Sequence, residues 1–123
     1  MNRLLVFAAA VASAAVVAAV AFAIPGQAAV PRLTATVGPG DTITLRTAGG
    51  KPVRTLPAGT YAVVVHDRST DHNFRLVGPG VNRATGVGAT ATVTWRVKLQ
   101  RGKLYRFACD PHADDMRGAF RTR

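Results

Sequence analysis

Clusters of glycine and proline punctuate most of this chain and mark turns between its short apolar runs. From Arg32 onward, turn clusters recur at Gly38-Pro39-Gly40-Asp41, Gly49-Gly50-Lys51-Pro52, Pro57-Ala58-Gly59, Gly78-Pro79-Gly80 and Arg101-Gly102. Glycine opens backbone conformations closed to other residues and proline cannot donate a ladder hydrogen bond, so each cluster ends the element before it. The runs between are rich in Val, Thr and aromatic residues, whose side chains suit a pleated surface. This pattern predicts strands over 32–37, 42–47, 53–56, 60–66, 73–77, 91–99, 103–109 and 117–121.

The clearest alternation sets Val93, Trp95, Val97 and Leu99 against Thr94, Arg96 and Lys98. Side chains alternate across a strand, so one face turns inward, Trp95 belongs to the core and the charges stay in solvent. No segment shows a helical period. Strands at intervals of roughly 8 to 12 residues with turns between them predict an all-β, two-sheet sandwich. A chain of 123 residues with 48% hydrophobic content is neither disordered by composition nor long enough for two sizeable cores. Its single cysteine, Cys109, excludes both an internal disulfide and a four-cysteine zinc site.

The segment before the strands reads as an address. Met1–Arg3 give a short positive start, residues 4–24 form an apolar run with Ser13 the only hydroxyl, and Pro25-Gly26-Gln27 break it. Small residues at Gly26 and Ala28 suit signal-peptidase cleavage after Ala28. The run is also long enough to cross a bilayer of about 30 Å, which makes an uncleaved anchor helix the alternative. Either way the remaining 95 residues are expected outside the cytoplasm, secreted, periplasmic or associated with the cell envelope. We divide the chain into a signal or anchor over 1–28, a lead-in and first strand over 29–36, and one domain over 37–123.

Without Arg3, 15 basic side chains remain against six acids, all aspartate, for a charge of +9. Anionic partners follow: a redox or acceptor protein with an acidic docking surface, an anionic polymer of the envelope, or the membrane itself. Nucleic acid is not expected, because the chain is exported and its basic residues are scattered singly rather than massed on one element. A monomer is expected.

Two loops hold the residues able to carry chemistry. Cys109-Asp110-Pro111-His112-Ala113-Asp114-Asp115-Met116 puts a thiol, an imidazole and a thioether within eight residues, and Asp71-His72-Asn73-Phe74 lies upstream. Three of the four potential ligands fall in phase with the inward face of an adjoining strand, in the series Tyr105-Phe107-Cys109, His72-Phe74-Leu76 and Met116-Gly118-Phe120. Two imidazoles and a thiolate with a weak axial thioether are the donor set of a blue-copper site: soft sulfur favours Cu(I), imidazole accepts Cu(II). His66 falls on the opposite alternation from Tyr61, Val63 and Val65 and is expected at the surface. Asp71 is a candidate to orient His72, or simply a turn residue; Asp110, Asp114 and Asp115 are candidates for solvation, for lowering a metal's potential or for steering a basic partner.

Cys-x2-His followed shortly by Met, with Tyr-x-Phe before the cysteine and His-Asn upstream, resembles the cupredoxins, the plastocyanin, pseudoazurin and amicyanin group. The resemblance spans roughly 37–120. It implies a Greek-key sandwich, copper (Cu+/Cu2+) as cofactor, and His72, Cys109, His112 and Met116 as ligands. It further implies that Asn73 ties the two loops together and that Pro111 stiffens the ligand loop. The chain departs from the group in the three residues between His112 and Met116, a spacing between those of amicyanin-like and plastocyanin-like loops.

The resulting expectation is a non-enzymatic one-electron carrier. Copper buffering or delivery through the same site is the alternative, and a metal-free or zinc-loaded adhesion module is a third reading. A thiol hydrolase built on Cys109 and His112 has no oxyanion donor or orienting third group that the sequence identifies.

Overall fold

The computed structural model describes residues 15–18 and 29–123. The expected signal or anchor helix falls largely outside these residues, and the four described within it carry no helix. Among the described residues no helix is long and apolar enough to cross a membrane.

The described residues form nine strands: β1 (Arg32–Val37), β2 (Ile43–Thr47), β3 (Thr55–Leu56), β4 (Gly59–Asp67), β5 (Arg75–Gly78), β6 (Val81–Ala84), β7 (Ala91–Leu99), β8 (Leu104–Ala108) and β9 (Arg117–Thr122). A single 3-10 turn, Asp110–His112, follows β8. β6 escapes sequence reading because only Val81 is buried in it, and Asn82, Arg83 and Ala84 are exposed, which leaves no alternation to detect. β3 is shorter than expected because the chain changes sheets there. Val53 N donates to Leu45 O at 3.0 Å on β2, whereas Thr55 and Leu56 pair with Arg121 and Thr122 on β9.

The strands make two mixed sheets, ordered β2-β1-β4-β7 and β3-β9-β8-β5-β6. β1 runs parallel to β4 and β3 parallel to β9, while the remaining pairings are antiparallel. Inward side chains of both sheets merge in one apolar core that includes Leu33, Val63, Trp95, Phe74, Phe107 and Phe120. Trp95 is buried as its alternation requires, and it meets Phe74 of the other layer at a ring separation of 6.3 Å. Phe74 in turn stacks on Phe107 at 5.6 Å, and Tyr105 on Phe120 at 5.5 Å. Phe107 faces Gly118 across the β8–β9 ladder. A Cβ on Gly118 would enter the Phe107 ring, so this inward position admits only glycine without rearrangement.

Strand direction sorts the loops between two ends. β1, β4, β6 and β8 deliver residues 38–42, 68–74, 85–90 and 109–116 to one end, which holds His72, Cys109, His112 and Met116; we call it the ligand end. Turns at 48–54, 79–80 and 100–103 close the other. β4 spans the whole distance, pairing Gly59 with Leu99 at one extreme and Asp67 with Ala91 at the other. At the usual strand rise of about 3.3 Å, its nine residues separate the ends by about 27 Å.

Candidate metal centre

Cys109 continues the inward phase of Tyr105 and Phe107 one step beyond β8 and is completely buried. Its loop closes on itself through the backbone. Cys109 N donates to Met116 O at 3.0 Å, His112 N to Cys109 O at 3.1 Å, and Met116 N to His112 O at 2.8 Å. Pro111 sits inside the 3-10 turn, where its fixed φ suits the helical start and its missing N–H costs little. The loop therefore returns His112 and Met116 to the level of Cys109.

His72 reaches the same point from the β4–β5 connection and is 5% exposed, whereas His112 is exposed. The two Nδ1 atoms stand 2.9 Å apart, and each lies 3.6 Å from Cys109 Sγ. His72, Cys109 and His112 are the one group of three potential metal-ligating side chains, drawn from His, Cys, Asp and Glu, found among the described residues, their donor atoms all within 4.8 Å. Metal–nitrogen bonds of about 2.0–2.1 Å and metal–sulfur bonds of about 2.3 Å sum to more than any of the three separations, the condition for one ion to reach all three donors. The donor set therefore fits a metal ion. Met116 is 2% exposed, packed in the core beside this loop.

No family model matches the chain. No curated protein matches it either. The site's own geometry thus bears the functional argument.

What orients His72 is Asp41, not Asp71. Asp41 Oδ1 lies 3.0 Å from His72 Nε2, so the ring proton belongs on Nε2 and the lone pair of Nδ1 points at Cys109 and His112. Asp71 is exposed and only its backbone N–H is engaged, donating to Ser69 Oγ at 3.0 Å. Asp41 arrives through the β1–β2 loop, closed by Gly38 N donating to Thr42 O at 2.8 Å and Thr42 Oγ1 to Pro39 O at 3.0 Å. Gly38 holds φ +73°, and a Cβ there would stand 3.2 Å from Ser69 Cβ, a conformation and a closeness that favour glycine. Sequence reading took this stretch as turn punctuation; nothing local ties Asp41 to a histidine 31 positions later.

Asn73 joins the two ligand loops, as the resemblance implied. Its Oδ1 accepts from Asp110 N at 2.7 Å, and its Nδ2 donates to Asp110 Oδ2 at 2.9 Å and to Thr85 O at 3.1 Å. Asp110, though exposed, thereby serves as a strut between the loops. Arg75 grips it from the other side, Nε to Oδ1 at 2.8 Å and Nη2 to Oδ2 at 2.9 Å, while Arg75 Nη1 donates to Asn82 Oδ1 at 2.8 Å. The Arg75 hydrogen bond, aided by that from Asn73, holds the Asp110 carboxyl below the usual carboxylate range against the opposing effect of partial burial.

Behind this strut lies Asp67, 2% exposed. Its Oδ2 accepts from Thr85 Oγ1 at 2.6 Å, its Oδ1 accepts from Ser69 N at 3.2 Å, and Thr85 Oγ1 accepts from Phe74 N at 2.9 Å. Asp67 falls in phase with Tyr61, Val63 and Val65 on the inward face of β4, a carboxylate in a core series and hence a readable signal that the sequence analysis passed over. No buried side-chain nitrogen or oxygen among the described residues lacks a partner. His66 is half-buried and outside the cluster; Asp114 and Asp115 are exposed.

Proposed function

We propose that this chain binds a single copper ion through His72, Cys109 and His112, with Met116 as axial ligand, and serves as a one-electron carrier outside the cytoplasm. The observation that carries the reading is the convergence of two imidazole Nδ1 atoms and one buried thiol sulfur within 4.8 Å. Copper held by this donor set supplies exchange between Cu(I) and Cu(II) with soft sulfur and borderline nitrogen ligands suited to both. In this reading the mixed two-sheet arrangement is a cupredoxin-like Greek-key sandwich, and the protein is a carrier, not an enzyme.

The chain's own residues do three things for that task. Asp41 fixes the tautomer of His72, keeping a lone pair available. Asn73, Asp110 and Arg75 tie the His72 loop to the Cys109 loop, so that donor positions are set by the fold rather than by the ion, which keeps rearrangement small when charge changes. His112, exposed while Cys109 and His72 are buried, offers the edge at which a partner approaches the centre.

The test is spectroscopic. Cu(II) added to the purified full chain is expected to produce an intense visible thiolate-to-copper band, and Cys109→Ser to abolish it. A colourless wild-type protein, or a band that survives Cys109→Ser, refutes the carrier reading. Fast electron self-exchange with slow copper loss to a chelator separates carrying from delivery; the reverse pattern assigns the site to copper buffering.

A further inference from the structure

Charge is divided between the two ends of the sandwich. All six aspartates stand at the ligand end: Asp41 in the β1–β2 loop, Asp67 at the end of β4, Asp71 in the β4–β5 loop, and Asp110, Asp114 and Asp115 in the loop after β8. No aspartate stands at the other end. There the exposed side chains of Arg32, Lys51, Arg54, Arg101, Lys103 and Arg123 gather, from the start of β1, the β2–β3 connection, the β7–β8 turn and the residue after β9. None of these six side chains forms an ion pair, and the described ion pairs, His72 with Asp41 and Arg75 with Asp110, both lie at the ligand end.

A second observation concerns where the N-terminal segment joins the domain. β1 starts at the basic end: Arg32 pairs with Ala62 near the beginning of β4, and Pro31 O accepts from Ala62 N at 2.9 Å. Only residues 25–31 separate Arg32 from the apolar run at 4–24. Even fully extended, that link reaches no more than about 28 Å, comparable to the length of the domain itself. A bilayer holding the apolar run therefore has the basic pole as its nearest surface.

We infer that the basic pole is a membrane-docking surface that rests on anionic lipid headgroups and turns the ligand end away from the bilayer. Clustered Lys and Arg next to a membrane segment are attracted to anionic headgroups within about a Debye length, roughly 10 Å at moderate salt. The ligand end, about 27 Å distant by strand rise, lies beyond that range, so its aspartates do not oppose the attraction. With the apolar run retained as the anchor, the basic pole adds an electrostatic contact that sets how the domain sits on the bilayer. The arrangement leaves His112 facing open solvent; it rests on charge, topology and the anchor reading of residues 4–24, whatever ion the ligand end takes.

The experiment places the full chain in phosphatidylcholine nanodiscs, with and without phosphatidylglycerol, and reads the broadening of amide NMR signals by a nitroxide on the lipid headgroup. Docking by the basic pole predicts broadening at residues 51–54 and 101–103 several-fold greater than at 110–116, dependent on phosphatidylglycerol and relieved by salt. Lys51→Gln, Arg101→Gln and Lys103→Gln combined should reduce it to the level seen without anionic lipid. Arg68→Gln, Arg106→Gln and Arg117→Gln combined remove the same charge elsewhere and should leave it. Equal loss in both triple variants, indifference to phosphatidylglycerol, or strongest broadening at 110–116 overturns the inference. Displacement of the pole from the anionic discs by soluble polyaspartate at lower charge concentration than the lipid also overturns it, in favour of a soluble polyanion.

Discussion

The two ends of the sandwich are held by different chemistry. At the basic end neutral hydroxyls close turns onto backbone. Tyr61 Oη donates to Pro57 O at 2.7 Å, Tyr105 Oη donates to Pro79 O at 3.1 Å and accepts from Gln100 N at 2.8 Å, and Thr122 Oγ1 donates to Gln100 O and accepts from Lys103 N at 2.9 Å. Burial pushes the Tyr61 hydroxyl up from its ordinary pKa, against the pull of Arg123. At the ligand end bonds from side chain to side chain that involve ions are added to bonds with backbone: Asp41 with His72, Asp67 with Thr85, Asn73 with Asp110, Asp110 with Arg75. A turn needs only its own ends joined. Donor atoms from separate loops need those loops held in mutual register, and paired side chains reaching across do that. This also accounts for half of the aspartates being where they are.

The comparison breaks most sharply at Asn73. Asn73→Leu removes the acceptor for Asp110 N and the donor to Thr85 O in a residue only 1% exposed. Leaving such groups unpaired should cost about 2–4 kcal/mol in urea unfolding. The same variant should lose or broaden the copper band, because the loops bearing His72 and Cys109 are no longer tied. A variant that loses stability yet keeps an unchanged band shows that the loops hold their register without the strut.

Asp41 separates ligand orientation from stability. Its carboxylate is 84% exposed, so Asp41→Ala should shift unfolding by no more than about 0.5 kcal/mol. Loss of the group that orients a ligating imidazole should nevertheless weaken metal binding by about 10- to 100-fold, measured by competition with a chelator. Equal affinity in the variant and parent removes Asp41 from the centre.

How far the sequence could be read divides along the same line. Strands whose inward series carries several apolar side chains, such as β1, β4 and β7, are evident from alternation, and so is the burial of Trp95. β6 is not, because three of its four residues are exposed. Near the candidate centre, His72 and Cys109 are legible because their positions continue inward series, and His112 because its spacing from Cys109 matches a known pattern. Asp41, Thr85 and Arg75 are not, because each acts across 11 to 35 positions of chain through a hydrogen bond that leaves no local pattern. Asp67 alone among the supporting residues announces itself, as a carboxylate in phase with valines.

Thr122 tests the opposite end. Thr122→Val keeps the shape but removes the acceptor for Lys103 N and the donor to Gln100 O, which should cost about 1–2 kcal/mol. Copper affinity and the visible band should stay as in the parent, since the turn lies the length of β4 away from the ligand loops. If the band changes in step with stability, the ends are coupled and the contrast drawn between them fails.

The smallest effect is expected at Arg75, and it carries a pH signature. The pair with Asp110 is partly exposed, with side chains 36% and 40% accessible, so solvent screening limits its worth to about 1 kcal/mol or less. Arg75→Gln should destabilise the chain by that amount near neutral pH. Because Arg75 lowers the folded-state pKa of Asp110, the pair's contribution is fully present above the carboxyl's unfolded value, about 3.9, and disappears as pH falls through the lower folded value. Unfolding curves of parent and variant should thus lie apart at pH 6 and converge in strong acid. Curves that stay equally separated down to that range would show that Arg75 stabilises the loop by packing or by its bond to Asn82, and would confine the ionic character of the ligand end to Asp41 and Asp67.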